Sequence, residues 1–211
     1  MKAQARAFAP GNISCVFKVV ADPDPRKMHS LGMGLTVSDG VVASVAHAER
    51  SAVRFNGEEI DFPTVVAALE KLTAEPLDVD IQSPLQLSGG FGLSGASSLA
   101  ALWAADDLLS LGTEERELAM MAHVAEVENL TGLGDVCAQF HGGCLVKLTA
   151  GDPLAADSGL LTDERVRGII EEVERSAGAA SMIMLGHAVF STRAFPGAQE
   201  TQLGIYRVRA F

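Results

Sequence analysis

Residues 84–102 read PLQLSGGFGLSGASSLAAL, a glycine-rich loop that runs without a proline into an alanine- and leucine-rich stretch. Gly89, Gly90, Gly92 and Gly95 let the backbone take positive φ and approach a ligand closely. From Ser94 onward, Ala96, Leu99, Ala100, Leu102, Trp103 and Leu108 read as a helix. A helix start carries free backbone N–H groups and a partial positive charge. Glycines ahead of it make an anion cradle suited to a phosphate. The stretch therefore points to a nucleotide-using enzyme. A P-loop would need a lysine at its end, and this loop has none. The dinucleotide fingerprint G-x-G-x-x-G is literally present at Gly90, Gly92 and Gly95. It belongs in a βαβ unit, whereas here Gly112-Thr113 and a second helical pattern follow.

Composition narrows the class further. The 211 residues suffice for one large domain or two small ones, and 48% are hydrophobic, enough for a sizeable core. The net charge of −11 argues against a general nucleic-acid binder, which needs a basic face. No run of about 18 apolar residues is present, so no membrane span is expected. The N-terminus MKAQARAFAPG lacks a signal-peptide core. Cys15, Cys137 and Cys144 form an odd set without a CxxC pair, which fits a reducing cytoplasm. His29, His47, His141 and His187 read as surface or satisfied core histidines, and His141 with Cys144 lacks the second pair that zinc would need.

The first half reads as strands and turns. Residues 16–20 are a β-rich run ended by Asp22-Pro-Asp-Pro. Ser38-Asp39-Gly40 between 35–37 and 41–45 reads as a hairpin turn, and Asn56-Gly57 as a second, weaker one. Residues 64–72 read as a short helix and 77–87 as an extended lead into the glycine loop. In the second half, Thr113 is the expected cap of a helix whose apolar stripe is Leu118, Met121, Ala122 and Ala125. Residues 142–148 read as a strand, 163–175 as a helix capped by Thr162, with a Glu171–Arg175 pair on its surface, 181–189 as a helix and 205–211 as a strand. Strands and helices mix without a βα period, so the expected fold class is α+β.

Two carboxylates stand out. Glu126 continues the apolar stripe of the helix that begins near Thr113, so it lies either at the helix edge in water or in a polar site. Asp135 ends the loop NLTGLGD, where it is either a helix cap or a carboxylate near a phosphoryl acceptor. Phosphoryl transfer asks the protein for positioning, a metal and charge stabilisation, which two such carboxylates could serve.

Five segments, in order, resemble the GHMP kinases and in particular their archaeal pantoate kinase branch. They are FAPGNISCVF (8–17), HSLGMG (29–34), GGFGLSGASSLAAL (89–102), HVAEVENLTGLGDVCAQFHGG (123–143) and SMIMLGHAVF (181–190). The resemblance implies a GHMP-kinase-like fold whose N-terminal half is like ribosomal protein S5 domain 2. An ATP-binding domain is expected over 1–150 and a shortened C-terminal subdomain over 151–211. It implies that Gly89, Gly90, Gly92, Ser94, Gly95, Ala96 and Ser97 bind ATP, that Ser94 and Glu126 hold Mg²⁺, and that Asp135 is catalytic. Asn12, Ser30, Thr131 and Gly132 would lie at the acceptor. The implied activity is phosphorylation of a small hydroxy acid, pantoate, in coenzyme A biosynthesis. A kinase for another small metabolite and a non-catalytic nucleotide-binding homologue stay open. The expected partner is a small-molecule acceptor, with no nucleic acid and no membrane, and a homodimer is open. The departures from the branch are a shortened C-terminal half, Asn12 where histidine is usual and Met33 where alanine is usual.

Overall fold

Two long strands dominate the sheet of this protein in the computed structural model, which describes residues 2–156, 180–182, 189–191, 201–202 and 204–211. β1 (Gln4–Val20) and β2 (His29–His47) pair antiparallel along their length, joined through the Asp22-Pro-Asp-Pro turn. The hairpin expected at Ser38-Asp39-Gly40 is not there: these residues lie inside β2. The register slips between Pro10 and Asn12, so Gly11 faces the three residues 37–39. The signal read as a turn is a bulge, which bends a strand without reversing it. Gly40 is required because a Cβ there would meet the Ala9 carbonyl oxygen at 2.1 Å.

The second turn is a hairpin as expected. β3 (Ala52–Phe55) and β4 (Glu58–Glu59) flank Asn56 and Gly57, whose φ values of 52° and 87° are those of a primed turn. α1 (Pro63–Leu72) then crosses to β5 (Leu77–Gln82), which is parallel to β3 and antiparallel to β2. Among the described residues the sheet runs β4-β3-β5-β2-β1-β9, with β6 (Cys144–Lys147) beside β2 and β9 (Arg209–Ala210) beside β1. With helices segregated from a mostly antiparallel sheet, the class is α+β.

α2 (Leu93–Leu109) lies against β1 and β2 and touches α1, α3 (Glu115–Glu128) and α4 (Asp135–His141). It is buried on nearly all sides, as a helix of alanine and leucine without a polar face must be. Trp103 of α2 packs on Phe140 of α4 with ring centroids 6.4 Å apart. Thr113 does not cap α3. Glu114 is the N-cap residue, without a side-chain cap, and the Thr113 N–H instead donates to Asp106 Oδ1 (2.9 Å), closing the turn after α2. The stripe of α3 is broader than read: Leu118, Ala122 and Ala125 are buried, Met121 is half-buried, and His123 and Glu126 are buried with them.

The helix expected over 181–189 is overturned at both ends. β7 (Ala180–Met182) and β8 (Val189–Ser191) pair antiparallel, so the backbone there is extended. The helix expected over 163–175, with its Glu171–Arg175 pair, lies outside the described residues, as does His187. The strand expected over 205–211 shrinks to β9. The tail is tied to the sheet by Thr36 Oγ1 donating to the Gly204 carbonyl (2.8 Å) and by Arg209 over the Phe8 ring. Cys137 and Cys144 are buried and Cys15 exposed, all three as free thiols. No helix among the described residues is long and apolar enough to cross a membrane.

Candidate active site

The glycine loop ends in a helix start that no side chain caps. Gly92 is the N-cap residue of α2, with φ 61° and ψ 32°, a left-handed conformation that favours glycine. The first-turn N–H groups of α2 are therefore open to an anion. Loop and sheet are stitched together by the Asn12 N–H, which donates to the Phe91 carbonyl at 2.8 Å.

Asp135 is the first residue of α4 and faces this loop. Gly134 is the N-cap residue, so the aspartate is not spent on capping. Its Oδ1 accepts hydrogen bonds from Asn12 Nδ2 (2.6 Å) and Ser14 Oγ (2.8 Å). Burial raises its pKa above the ordinary carboxylate value, against the lowering effect of those two donors. A Cβ on Gly92 would stand 3.0 Å from the Asp135 carboxyl carbon, so only glycine lets loop and helix meet this closely.

Glu126 is 1% exposed, and its Oε1 accepts from Thr131 Oγ1 at 2.8 Å. Its Oε2 has no hydrogen-bond partner. Burial, helped by the nearby Asp135 charge and opposed by the Thr131 and Ser94 hydroxyls, pushes its pKa up to about 7. The two carboxylates converge on Gly132: a Cβ there would lie 2.2 Å from Glu126 Oε2 and 3.4 Å from Asp135 Oδ2. An orphaned buried carboxylate oxygen, a second carboxylate and the Ser94 hydroxyl form a set of hard oxygen donors. Mg²⁺ is typically held by one or two carboxylates together with substrate phosphates, so these residues fit it.

A cleft of about 620 Å³ lies in front of the site. Gly90, Gly92 and Ser94 line it from the loop, Ser30 from β2, and Thr131, Gly132 and Asp135 from the loop and start of α4. Its other end is apolar, with Ile60, Phe62, Leu87 and Leu130, a lining that suits a flat base. Gly89, Gly95, Ala96 and Ser97 do not line the cleft, and Ala96 and Ser97 are fully buried in α2. Asn12, 1% exposed, reaches the site through its bond to Asp135. The Thr131 hydroxyl is committed to Glu126.

Sequence reading missed three polar residues here. Ser14 sits two positions from Asn12 on β1, and that i, i+2 polar pair in an apolar strand is a signal that could have found it. Gln139 follows Asp135 by one helical turn, and its Nε2 donates to the Gly92 carbonyl (2.8 Å). Lys147 ends β6, is 5% exposed, and donates to the Asp152 carbonyl. It lines a cavity of about 40 Å³ together with Asn12, Ser14 and Ser30. His123 is buried against the Met28 carbonyl (2.8 Å), and burial pushes its pKa down to about 4, so it is neutral at pH 7.

Residues 62–143, from the start of α1 through α4, match the family described as GHMP kinases N terminal domain. This segment of the chain belongs to the GHMP kinase superfamily. Among curated proteins the chain is similar to pantoate kinases. It is 29% identical over 161 residues to the pantoate kinase of Methanocaldococcus jannaschii, covering 74% of this chain and 58% of that protein. It is 31% identical over 153 residues to the pantoate kinase of Methanospirillum hungatei, covering 69% and 53%. The chain thus spans a little over half the length of these curated relatives. A solved structure described as a phosphotransferase related to the CoA biosynthesis pathway shares the fold. It has a TM-score of 0.80 at 22% identity and covers 99% of this chain and 98% of its own.

Proposed function

We propose that this chain transfers the γ-phosphoryl group of ATP to the primary hydroxyl of a small hydroxy acid, most specifically pantoate, giving 4-phosphopantoate and ADP. One observation carries the reading: Asp135 at the wall of one cleft and the buried Glu126 carboxylate converge on Gly132, beside an uncapped helix start. The likeness to pantoate kinases supports the choice of acceptor.

In this reading Gly90, Gly92 and the first-turn N–H groups of α2 bind the triphosphate. Ser94 and Glu126 hold Mg²⁺, which when bound neutralises charge on the transferring phosphoryl oxygens. Asp135, oriented by Asn12 and Ser14, takes the proton of the acceptor hydroxyl. The hydroxyl oxygen bonds to the γ-phosphorus as the bond from that phosphorus to the bridging oxygen breaks. A raised carboxylate pKa brings a general base closer to the working pH. The acceptor's carboxylate falls to the side where Lys147, a buried cation, stands near Ser30 and Asn12. Residues 1–150 act as the ATP-binding domain and 151–211 belong to a C-terminal subdomain, and the protein works in the cytoplasm. The test is ATP consumption measured against pantoate, mevalonate, homoserine and shikimate. Turnover with pantoate above the other three is expected; turnover with none of them overturns the reading.

A further inference from the structure

Four buried side-chain polar atoms among the described residues lack a hydrogen-bond partner: Asn12 Oδ1, Ser97 Oγ, Glu126 Oε2 and Gln139 Oε1. All four belong to the phosphate loop helix or to residues packed around it. Unpaired buried polar atoms are rare in folded proteins, and an unseen ion or water is one of the ordinary reasons for them.

Gln139 is the member of this set with the best-defined orientation. It is fully buried and sits on the same face of α4 as Asp135, one turn further on. The Gly92 carbonyl can only accept, so the amide nitrogen must face it, and it does at 2.8 Å. That bond fixes which way the amide oxygen points. A Cβ placed on Gly95 would stand 2.9 Å from Gln139 Oε1 and 3.6 Å from Glu126 Oε2. Two unpaired acceptors thus flank one point beside the start of α2. Neither can donate to the other while Glu126 is ionised, and a water bound on a cation at Glu126 would bring Gln139 Oε1 the donor it lacks.

We propose that Gln139 is a positioning residue for the divalent cation: clamped by its bond to Gly92, it offers Oε1 to a water bound on the cation that Glu126 holds. This rests on the reading of Glu126 as a cation ligand. Partners that hydrogen-bond the ligands and waters of a metal site contribute strongly to its affinity, and their loss typically costs 10- to 100-fold. The same bond to Gly92 makes the side chain a bridge between the phosphate loop and the helix that carries Asp135. One amide would then couple cation, phosphate loop and base.

The test is calorimetry of ATP binding to the full chain with and without Mg²⁺, beside a thermal melt. Gln139→Met fills the same volume without a polar atom, and Gln139→Asn withdraws the oxygen by one methylene while keeping an amide. Wild type is expected to gain ATP affinity when Mg²⁺ is added. Each folded variant is expected to lose about tenfold of that gain. A structural role alone would weaken binding equally with and without Mg²⁺. A folded variant that keeps the full Mg²⁺-dependent gain overturns the proposal for Gln139 and leaves the site reading intact. A wild-type protein without any Mg²⁺-dependent gain overturns the reading of Glu126, and the proposal with it.

Discussion

Asn12 Nδ2 stands 2.6 Å from Asp135 Oδ1, joining residues 123 positions apart. The backbone N–H of the same asparagine donates to the Phe91 carbonyl at 2.8 Å. One residue at the bulge of β1 therefore fixes both the phosphate loop and the aspartate in front of it. Asn12→Ala leaves the backbone bond and removes the side-chain one. A hydrogen bond to a charged group contributes about 1.5–3 kcal/mol. The expected outcome is a kcat lowered roughly tenfold or more with ATP affinity kept, read by steady-state kinetics beside calorimetry. An unchanged kcat would show that Ser14 alone orients the carboxylate.

Glu126 makes the metal-free protein sensitive to pH in an unusual direction. Its pKa rises from the ordinary 4.5 to about 7 on folding. Between these values the folded state holds a proton that the unfolded state has released. The contribution to stability is therefore full below about pH 4.5 and is lost as pH rises through about 7. The loss is of the order of 3 kcal/mol. Glu126→Gln removes it, so the variant without Mg²⁺ should melt higher than wild type at pH 8, and the difference should shrink toward pH 5. A difference that does not change with pH would mean that Glu126 titrates normally. The same variant should require more Mg²⁺ for activity.

Gly92→Val adds a Cβ at φ 61°, 3.0 Å from the Asp135 carboxyl carbon and 3.1 Å from Gln139 Nε2. Gly132→Ala puts one 2.2 Å from Glu126 Oε2. The first should abolish ATP binding with the fold retained, and the second should chiefly weaken Mg²⁺ dependence. Calorimetry and a melt on both variants check this. Wild-type ATP affinity in Gly92→Val would remove the loop from the site.

Much of this site could be read from the chain because its signals are local. The glycine run ahead of an apolar helix, the Asn-Gly turn and the α1 pattern all act within a few residues, and each element formed within a residue or two of its expected place. Asp135 was legible as a carboxylate but not as a choice between cap and base. That choice depends on Asn12 and Ser14, which reach it only through the pairing of β1 with β2 and the packing of α4. The burial of Glu126 is likewise tertiary: spacing puts it on the apolar face, but the roof over it is the loop 129–134. The Ser38-Asp39-Gly40 error has the same origin. Three turn-forming residues look alike whether the strand reverses or bulges, and the long partner strand decides. Gln139 lies within the 123–143 segment but emerges only when α4 packs on the Gly92 carbonyl, and Lys147, outside every motif, only when β6 pairs with β2.

Lys147→Met tests the acceptor side. If the buried ammonium meets the acceptor carboxylate, its removal should raise the KM for pantoate by roughly ten- to a hundredfold, the value of a hydrogen bond between charged groups. ATP affinity should not change. Equal losses for pantoate and ATP would assign Lys147 to the fold alone.

The most direct measurement is the rate of phosphoryl transfer to pantoate in Asp135→Asn beside its ATP affinity. The substitution keeps the shape of the side chain and removes the charge that accepts from Asn12 and Ser14. A group that acts on the transition state lowers kcat more than it weakens ground-state binding. The expected result is a kcat lowered by about a hundredfold or more, as for a positioned acid–base group, with MgATP affinity close to wild type. A near-wild-type kcat in Asp135→Asn would contradict the account of Asp135 as the base at the centre of this site.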